Sequence, residues 1–268
     1  MFKDAWKELK HYLAVYQKFA ATSFTEAMSF RTSFVLLVLM DIFFYFSSLA
    51  TVSFIYDHVE TIGPWNRSQL MFFISFMLAV DHLHMTFISE SFWMMARQIK
   101  TGDMDFILLR PLHSIFSVFF RHVRASSLFN TPVVWGVLIY YGRALPLEWY
   151  QWVLIPPLLI AAFILLALIE FLVSTSMFWM TEGMGINFLR MQMQSLSRWP
   201  DFIYQGISKR IFTVAVPLLL IGSAPVHFLY DFQNWHYLVG MGLAIVILWK
   251  VLLVLWRIAL RRYESASS

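Results

Sequence analysis

Residues 151–179 read QWVLIPPLLIAAFILLALIEFLVSTSMFW, and this stretch decides the fold class. Glu170 is its only charged side chain. A helix that crosses a bilayer needs about 20 mostly apolar residues. Within the hydrocarbon region a single segment of this kind must be helical, because its backbone groups have no water to bond. The stretch therefore predicts a membrane-spanning helix and an all-α membrane protein.

The rest of the chain has the same character. Of its 268 residues, 59% are hydrophobic and 13% are charged, whereas soluble domains have about 45–50% and about 25%. We predict a single transmembrane domain over 32–268 with six transmembrane helices. They cover 33–56, 69–93, 115–141, 151–179, either 181–199 or 211–230, and 236–256. The chain has no cysteine, which excludes disulfides and thiolate metal sites.

The first 31 residues form a separate segment. Trp6, Leu9 and Leu13 recur at a spacing of three to four, while Lys3 and Lys7 lie at other angles of the same helix. An amphipathic helix of this composition lies in the membrane interface with its apolar face in the lipid. We therefore predict an N-terminal amphipathic interfacial helix over 1–31.

Residues 180–230 allow two arrangements. In the first, the polar stretch lies at the surface and 211–230 is the fifth transmembrane helix. In the second, 181–199 crosses inside the helix bundle and 200–230 forms a re-entrant hairpin. Hydropathy and charge favour the first arrangement, whereas Pro200, Pro217 and Pro225 favour the second, because proline interrupts a helix.

The basic residues predict the orientation. With six transmembrane helices and an inner N-terminus, 17 of the 20 Lys and Arg residues fall on the inner side. Only Arg67 and Arg143 fall on the outer side, and Lys250 lies within the last helix. Cytoplasmic segments carry an excess of Lys and Arg. Both termini are therefore predicted to be cytoplasmic.

Four ionisable residues lie within the predicted transmembrane helices: Asp41, Asp81, His84 and Glu170. Such groups are costly in lipid and usually face a bundle interior or water. Together they suggest a polar pathway, which a proton-coupled secondary transporter would use. A structural hydrogen-bonded cluster is the other explanation.

The sequence lacks the motifs of several enzyme classes. It has no G-x-x-x-x-G-K-[ST] phosphate loop, no H-E-x-x-H and no G-x-S-x-G. We therefore predict no catalytic residues, no metal site and no cofactor held by this chain. Nothing in the sequence indicates a nucleic-acid partner.

The stretch 97–112, RQIKTGDMDFILLRPL, is a compact segment of mixed charge between two apolar runs. Gly102 permits a sharp turn, and Pro111 stops a helix because it disfavours helical backbone at the residue before it. An apolar patch between charged ends suits docking into a groove of a soluble partner. The candidate contact residues are Arg97, Lys100, Gly102, Asp103, Asp105, Phe106, Leu108, Leu109, Arg110 and Pro111.

The same segment carries a family resemblance. KTGDMDFILLRPL at 100–112 resembles the K-x-G-x-(L/M)-D-x-x-L-x-R-P-L signature of one branch of type-2 ABC exporter permeases, with Met104 at a position that is often Leu. YLAVYQKFAATSFTEAMSFRTSF near the N-terminus and RWPDFIYQGISKRIFTVAVPLLLIGSAP at 198–225 are similar to other blocks of that branch.

This resemblance implies six transmembrane helices, an interfacial helix before the first of them, and a cytoplasmic coupling helix over 97–111. It also implies a second permease subunit, identical or homologous, and separate ABC ATPase subunits that hold ATP and Mg²⁺. The expected location is the bacterial inner membrane. The motifs do not fix the substrate, but 18% aromatic residues suit a hydrophobic or amphipathic one.

Overall fold

The computed structural model describes residues 2–180 and 183–263, and the described residues are almost entirely helical. The only β-type pairing among them is an isolated bridge between Ile62 and Trp65. This confirms the all-α class. The helices are α1 Phe2–Ser29, α2 Arg31–Tyr56, α3 Arg67–Phe87, α4 Ser89–Thr101, α5 Asp103–Leu108, α6 Ser114–Phe119, α7 Ala125–Leu128, α8 Thr131–Gly142, α9 Trp149–Thr175, α10 Met184–Ser197, α11 Gly206–Arg210, α12 Leu219–Tyr230 and α13 Trp235–Arg262.

Four helices in the described part of the chain are long and apolar enough to cross a membrane: α2, α3, α9 and α13, the last two with short helical extensions. A fifth crossing exists if the bent pair formed by Gly206–Ala215 and Leu219–Tyr230 counts as one. The predicted count of six is therefore not reached by long apolar helices alone.

The prediction of one helix over 115–141 is wrong. The structure divides this region into α6, α7 and α8, with non-helical backbone at 120–124. The break is accommodated because its amide groups find partners inside the protein. The N–H groups of His122, Val123 and Arg124 donate to Ser91 Oγ, Ser23 Oγ and the Thr86 carbonyl at 3.0–3.2 Å. These bonds leave none of the three amide groups unpaired, so the backbone can depart from the helix here.

The helix predicted over 69–93 is also interrupted. The chain bends at Ile88, where φ is −137°, so that α3 ends and α4 begins. In the same way, the predicted coupling helix over 97–111 is two helices, α4 and α5. They meet at Gly102, whose φ of 78° lies in the left-handed region that glycine adopts at little cost.

For residues 180–230, a straight helix over 211–230 is wrong, because the chain turns by 90° between Ala215 and Leu219. Pro217 lies at this turn. The 14 residues of α10 rise about 21 Å, which is less than the hydrocarbon thickness of about 30 Å. The proline-broken shape of the second arrangement is thus present, and its depth in a membrane stays a prediction.

The four long helices differ in how much protein covers them. Within the most apolar 18 residues of each helix, 83% of α3 is buried, but only 22% of α2 and 11% of α13. The α3 helix packs against α2, α8, α9 and α12, so it is the centre of the bundle. The outer helices α2 and α13 leave apolar faces to the surroundings.

The close packing of α12 on α3 depends on Gly222. A Cβ atom there would collide with Met77 Sδ and would lie 2.9 Å from ring atoms of Phe73. Both neighbours are almost completely buried. The interface therefore has no room for a larger side chain at this position.

We expect Gly222→Ala to lower the free energy of unfolding by about 1–3 kcal/mol, because overpacking forces buried side chains to shift. Gly242→Ala on α13 is the matched control, since nothing lies within 4 Å of a Cβ there. That control should be neutral or stabilise by up to about 1 kcal/mol through helix propensity. Equilibrium unfolding in mixed micelles measures both, and equal effects would disprove the packing argument.

The N-terminal segment is helical from Phe2 to Ser29, as α1, while its place in the membrane interface stays a prediction. The apolar residues of α1 divide between two faces. Tyr12 and Phe19 pack on Phe116 of α6, with Tyr12 edge-on at a ring distance of 4.9 Å. Trp6 and Leu13 remain exposed. One face of α1 is therefore fastened to the bundle, and the other is free to contact lipid.

Candidate functional site

The predicted docking segment, residues 97–112, presents two opposite apolar faces. Met104 and Ile107 are buried, with 0% and 2% of their surface exposed, and they join the core cluster around Phe119. Phe106 and Leu109 are 70% and 82% exposed. One face thus anchors α5 to the protein, and the other is open to a partner.

Charged residues surround this open face. Arg97, Lys100 and Asp103 are exposed, while Asp105 and Arg110 are partly covered. The Thr101 hydroxyl donates to Asp103 Oδ2 at 2.7 Å and links the two helices across Gly102. Of the other predicted contact residues, Pro111 is exposed and Leu108 is half-buried.

The helices α1 and α13 both contact the residues that follow this segment. The His113 N–H donates to the Tyr12 hydroxyl at 3.1 Å, and Trp256 Nε1 donates to Ser114 Oγ at 2.8 Å. Burial and the nearby Asp105 carboxylate raise the pKa of Tyr263 to about 12. Since α1 and α13 both contact this region, the segment is fixed firmly to the bundle.

A second candidate site is a buried ionic network between α3, α9 and α10. Glu170 accepts hydrogen bonds from His84 and, at 3.3 Å, from Arg190 Nη1. All three side chains are 2% exposed or less. The Arg190 guanidinium lies 4.2 Å from the ring centre of Phe92, a geometry that stabilises a desolvated cation.

The network continues along α10. Gln194 Nε2 contacts Asp81 Oδ1 at 2.9 Å and His84 Nδ1 at 3.3 Å, and Arg198 Nε donates to Asp81 Oδ2 at 2.6 Å. Two carboxylates and two guanidinium groups therefore balance one another. A cavity of about 210 Å³ adjoins the network at Arg198. Its lining includes Asp81 and Arg198 together with Ser48 and Ser195.

Asp41 is not part of this network. It pairs with Arg124 Nη2 and Ser127 Oγ, each at 2.9 Å, between α2 and the start of α7. The structure thus brings together three of the four predicted pathway residues and separates the fourth. Because every one of the four carboxylate or imidazole groups has a partner within this chain, the contacts give the proton-coupled hypothesis no specific support.

Sequence reasoning missed the polar stripe of α10, which carries Arg190, the partner of Glu170, and Gln194 and Arg198, the partners of Asp81. Asn187, Arg190, Gln194 and Arg198 recur at intervals of three to four residues, so they share one face of α10. The first three are almost completely buried, and Arg198 is partly covered. A polar stripe at helical spacing within an apolar chain was the signal that could have identified them.

Among residues 2–180 and 183–263, no group of three or more His, Asp or Glu side chains is arranged to hold a metal ion. Fold and sites together define a multi-pass, all-helical membrane protein whose ionisable groups are paired inside the bundle. Residues 42–267 match the model of the family described as ABC-2 family transporter protein, and the chain belongs to this family. Neither the curated proteins nor the solved structures include a significant match.

Family membership identifies the chain as a membrane subunit that is not itself catalytic. Membrane proteins of the ABC-2 family work with ABC ATPase partners in general.

Proposed function

We propose that the chain is the transmembrane permease subunit of an ATP-driven exporter in the bacterial inner membrane. Membership of the ABC-2 family supports this proposal, and the lack of a phosphate loop fits a division of labour with a separate ATPase. ATP and Mg²⁺ would be held by that ATPase. Export of a hydrophobic or amphipathic substrate is the expected activity.

The observation that carries the proposal is the exposure of Phe106 on α5 and of Leu109 at its C-terminal end. Exposed apolar side chains with a charged rim mark an interaction surface. We assign this surface to the ATPase groove, with Arg97 and Asp103 on its rim. The positive-inside distribution supports a cytoplasmic location for this surface, the side on which an ATPase binds its nucleotide.

The proposed mechanism transmits ATPase closure through α5 into the bundle. Met104 and Ile107 connect α5 to the core, so a shift of α5 moves the helices that contact them. The network of Glu170, Arg190 and Asp81 joins α3, α9 and α10, which would then move together. Such coupling requires that the ATPase contact α5 differently in its two states.

A second permease subunit, identical or homologous, completes the proposed transporter. The sparsely buried faces of α2 and α13 are the surfaces available for it or for lipid. A substrate pathway would then lie between two permease subunits.

We expect reversal of Asp103 and Asp105 to lysine to abolish most of the stimulation of ATP hydrolysis that the permease gives its ATPase. In the proposed complex the two carboxylates face cationic groups of the ATPase groove, so lysines at these positions would bring two positive charges together. Like-charge contacts at an interface cost several kcal/mol. The measurement is ATP hydrolysis by the complex reconstituted with each ABC ATPase encoded beside the permease. Membrane insertion should be unchanged.

Glu60→Lys is the matched control, because Glu60 is an exposed carboxylate in the loop after α2, at the predicted outer side. The single variant Asp103→Lys separates the two aspartates, since Asp105 also lies near Tyr263. Full stimulation by the double variant would disprove the assignment of α5 as the coupling element. Failure of every neighbouring ATPase to copurify with the native chain would disprove the exporter itself.

A further inference from the structure

A basic cavity lies between α1 and the chain around α6. Its volume is about 380 Å³, and its lining includes Lys18, Arg110 and Arg121 together with the hydroxyl groups of Thr22 and Ser23. The three cations come from α1, from the end of the docking segment and from the irregular stretch at 120–124. The fold thus gathers three positive charges that are distant in sequence.

Among the described residues, these three cations are not paired with carboxylates. In the part that the structure describes, none of the three cations has a carboxylate within 4.0 Å, whereas Arg124, Arg190 and Arg198 all do. Burial lowers the pKa of Arg121, and the positive charge of Arg110 lowers it further, against a smaller opposite effect of Asp103. Glu26 is the one carboxylate in the lining, so the cavity keeps a net positive charge.

A mostly apolar groove continues from the basic cavity. It has a volume of about 400 Å³ and shares Ser23, Glu26 and His122 with it. Glu90 and Arg124 are the other charged residues in its lining, and their charges offset each other. Its other side chains include Phe30, Phe34 and Leu37, at the junction of α1 and α2, and Met94 of α4. A polar cavity with three cations therefore opens into an apolar groove beside a helix that is predicted to lie in the membrane interface.

We infer that the two cavities together hold one anionic phospholipid, with its phosphate at Lys18, Arg110 and Arg121 and an acyl chain along Phe30 and Phe34. A guanidinium group can donate two parallel hydrogen bonds to the oxygens of one phosphate. Basic pockets at a membrane surface bind anionic headgroups. A simple anion has no apolar part that could fill the groove, whereas a phospholipid has acyl chains. The lipid would connect α1 to the docking segment, since Arg110 belongs to that segment. This inference does not depend on the exporter proposal.

The test compares lipids on the intact chain in detergent. We expect phosphatidylglycerol to be retained in preference to phosphatidylcholine in native mass spectrometry, and to raise the melting temperature in a saturable manner. The double variant Lys18→Gln with Arg121→Gln should weaken the apparent phosphatidylglycerol affinity by about 30-fold, from the usual contribution of each basic residue to anionic lipid binding.

Lys7→Gln with Lys10→Gln is the matched control, because these lysines are exposed on α1 and do not line the cavity. An equal loss in this control would mean general attraction to anionic lipid and would overturn the site. A wild-type chain with no preference for phosphatidylglycerol would overturn it as well.

Two further measurements test the headgroup and the acyl groove separately. Inorganic phosphate alone should reproduce little of the stabilisation, and an equal effect of phosphate would show that no lipid is required. Leu37→Trp should narrow the groove and reduce phosphatidylglycerol retention while all three cations remain. This variant also decides the outcome if the double charge variant fails to fold, because unchanged retention by Leu37→Trp would remove the acyl groove from the proposal.

Discussion

Replacing Arg190 with methionine is expected to lower the free energy of unfolding by about 3–5 kcal/mol, because it leaves a buried carboxylate without its cation. Glu170 is 1% exposed and would keep only its bond to His84. Methionine has a similar length and remains apolar, so the loss comes mainly from charge and hydrogen bonding. Equilibrium unfolding of the purified chain in mixed micelles measures the difference.

The double variant Arg190→Met with Glu170→Gln should be more stable than Arg190→Met alone. Removal of both charges leaves no unpaired ion in the bundle, and buried pairs can often be replaced by neutral groups at little cost. Arg143→Met, an exposed arginine after α8, is the matched control and should change stability by less than about 1 kcal/mol. A small effect of Arg190→Met would contradict the assignment of Arg190 as the cation that buried Glu170 requires.

The second large effect is expected from truncation of the exposed face of α5. Phe106→Ala with Leu109→Ala should weaken binding to the ATPase by about 100-fold or more, because burying each large apolar side chain contributes about 1.5–3 kcal/mol. Both side chains are mostly exposed in the isolated chain. The melting temperature of the isolated double variant should therefore equal that of the native chain. This measurement distinguishes a loss of ATPase binding from a loss of folding.

Leu9→Ala with Leu13→Ala is the control for this experiment. These leucines are 49% and 53% exposed on α1, and they face the predicted lipid side. Their truncation should leave ATPase affinity unchanged in a surface-immobilised binding assay. Native affinity of the Phe106→Ala and Leu109→Ala double variant would place the ATPase contact elsewhere on the chain.

The long apolar helices were predictable because hydropathy alone identifies them: 33–56, 151–179 and 236–256 correspond to α2, α9 and α13. The structure of region 115–141 was not predictable in this way, because a hydropathy average over about 20 residues does not detect a short non-helical stretch. The irregular backbone at 120–124 depends on Ser23 and Ser91, which are distant in sequence. A window of about 20 residues contains no information on such partners.

The candidate site was predictable to a similar degree. Gly102 and Pro111 act locally, so the turn and the helix end followed from the sequence. Ile107 is buried and Phe106 is exposed because of tertiary packing. Four consecutive apolar residues, FILL, do not show which of them face the core. Asp81 and Glu170 were identified by their cost in lipid. Their arginine partners, however, lie on α10, a short polar helix that a hydropathy scan assigns to the surface.

The bond between Trp256 and Ser114 has a consequence for biogenesis. The two residues are 142 positions apart, and at a synthesis rate of about 5–20 residues per second the ribosome needs roughly 7–28 s to pass from one to the other. During that interval α1 can already contact α6, whereas α13 does not yet exist. Until α13 has entered the membrane, the residues that follow the docking segment therefore lack their contact with Trp256 and are held only by α1.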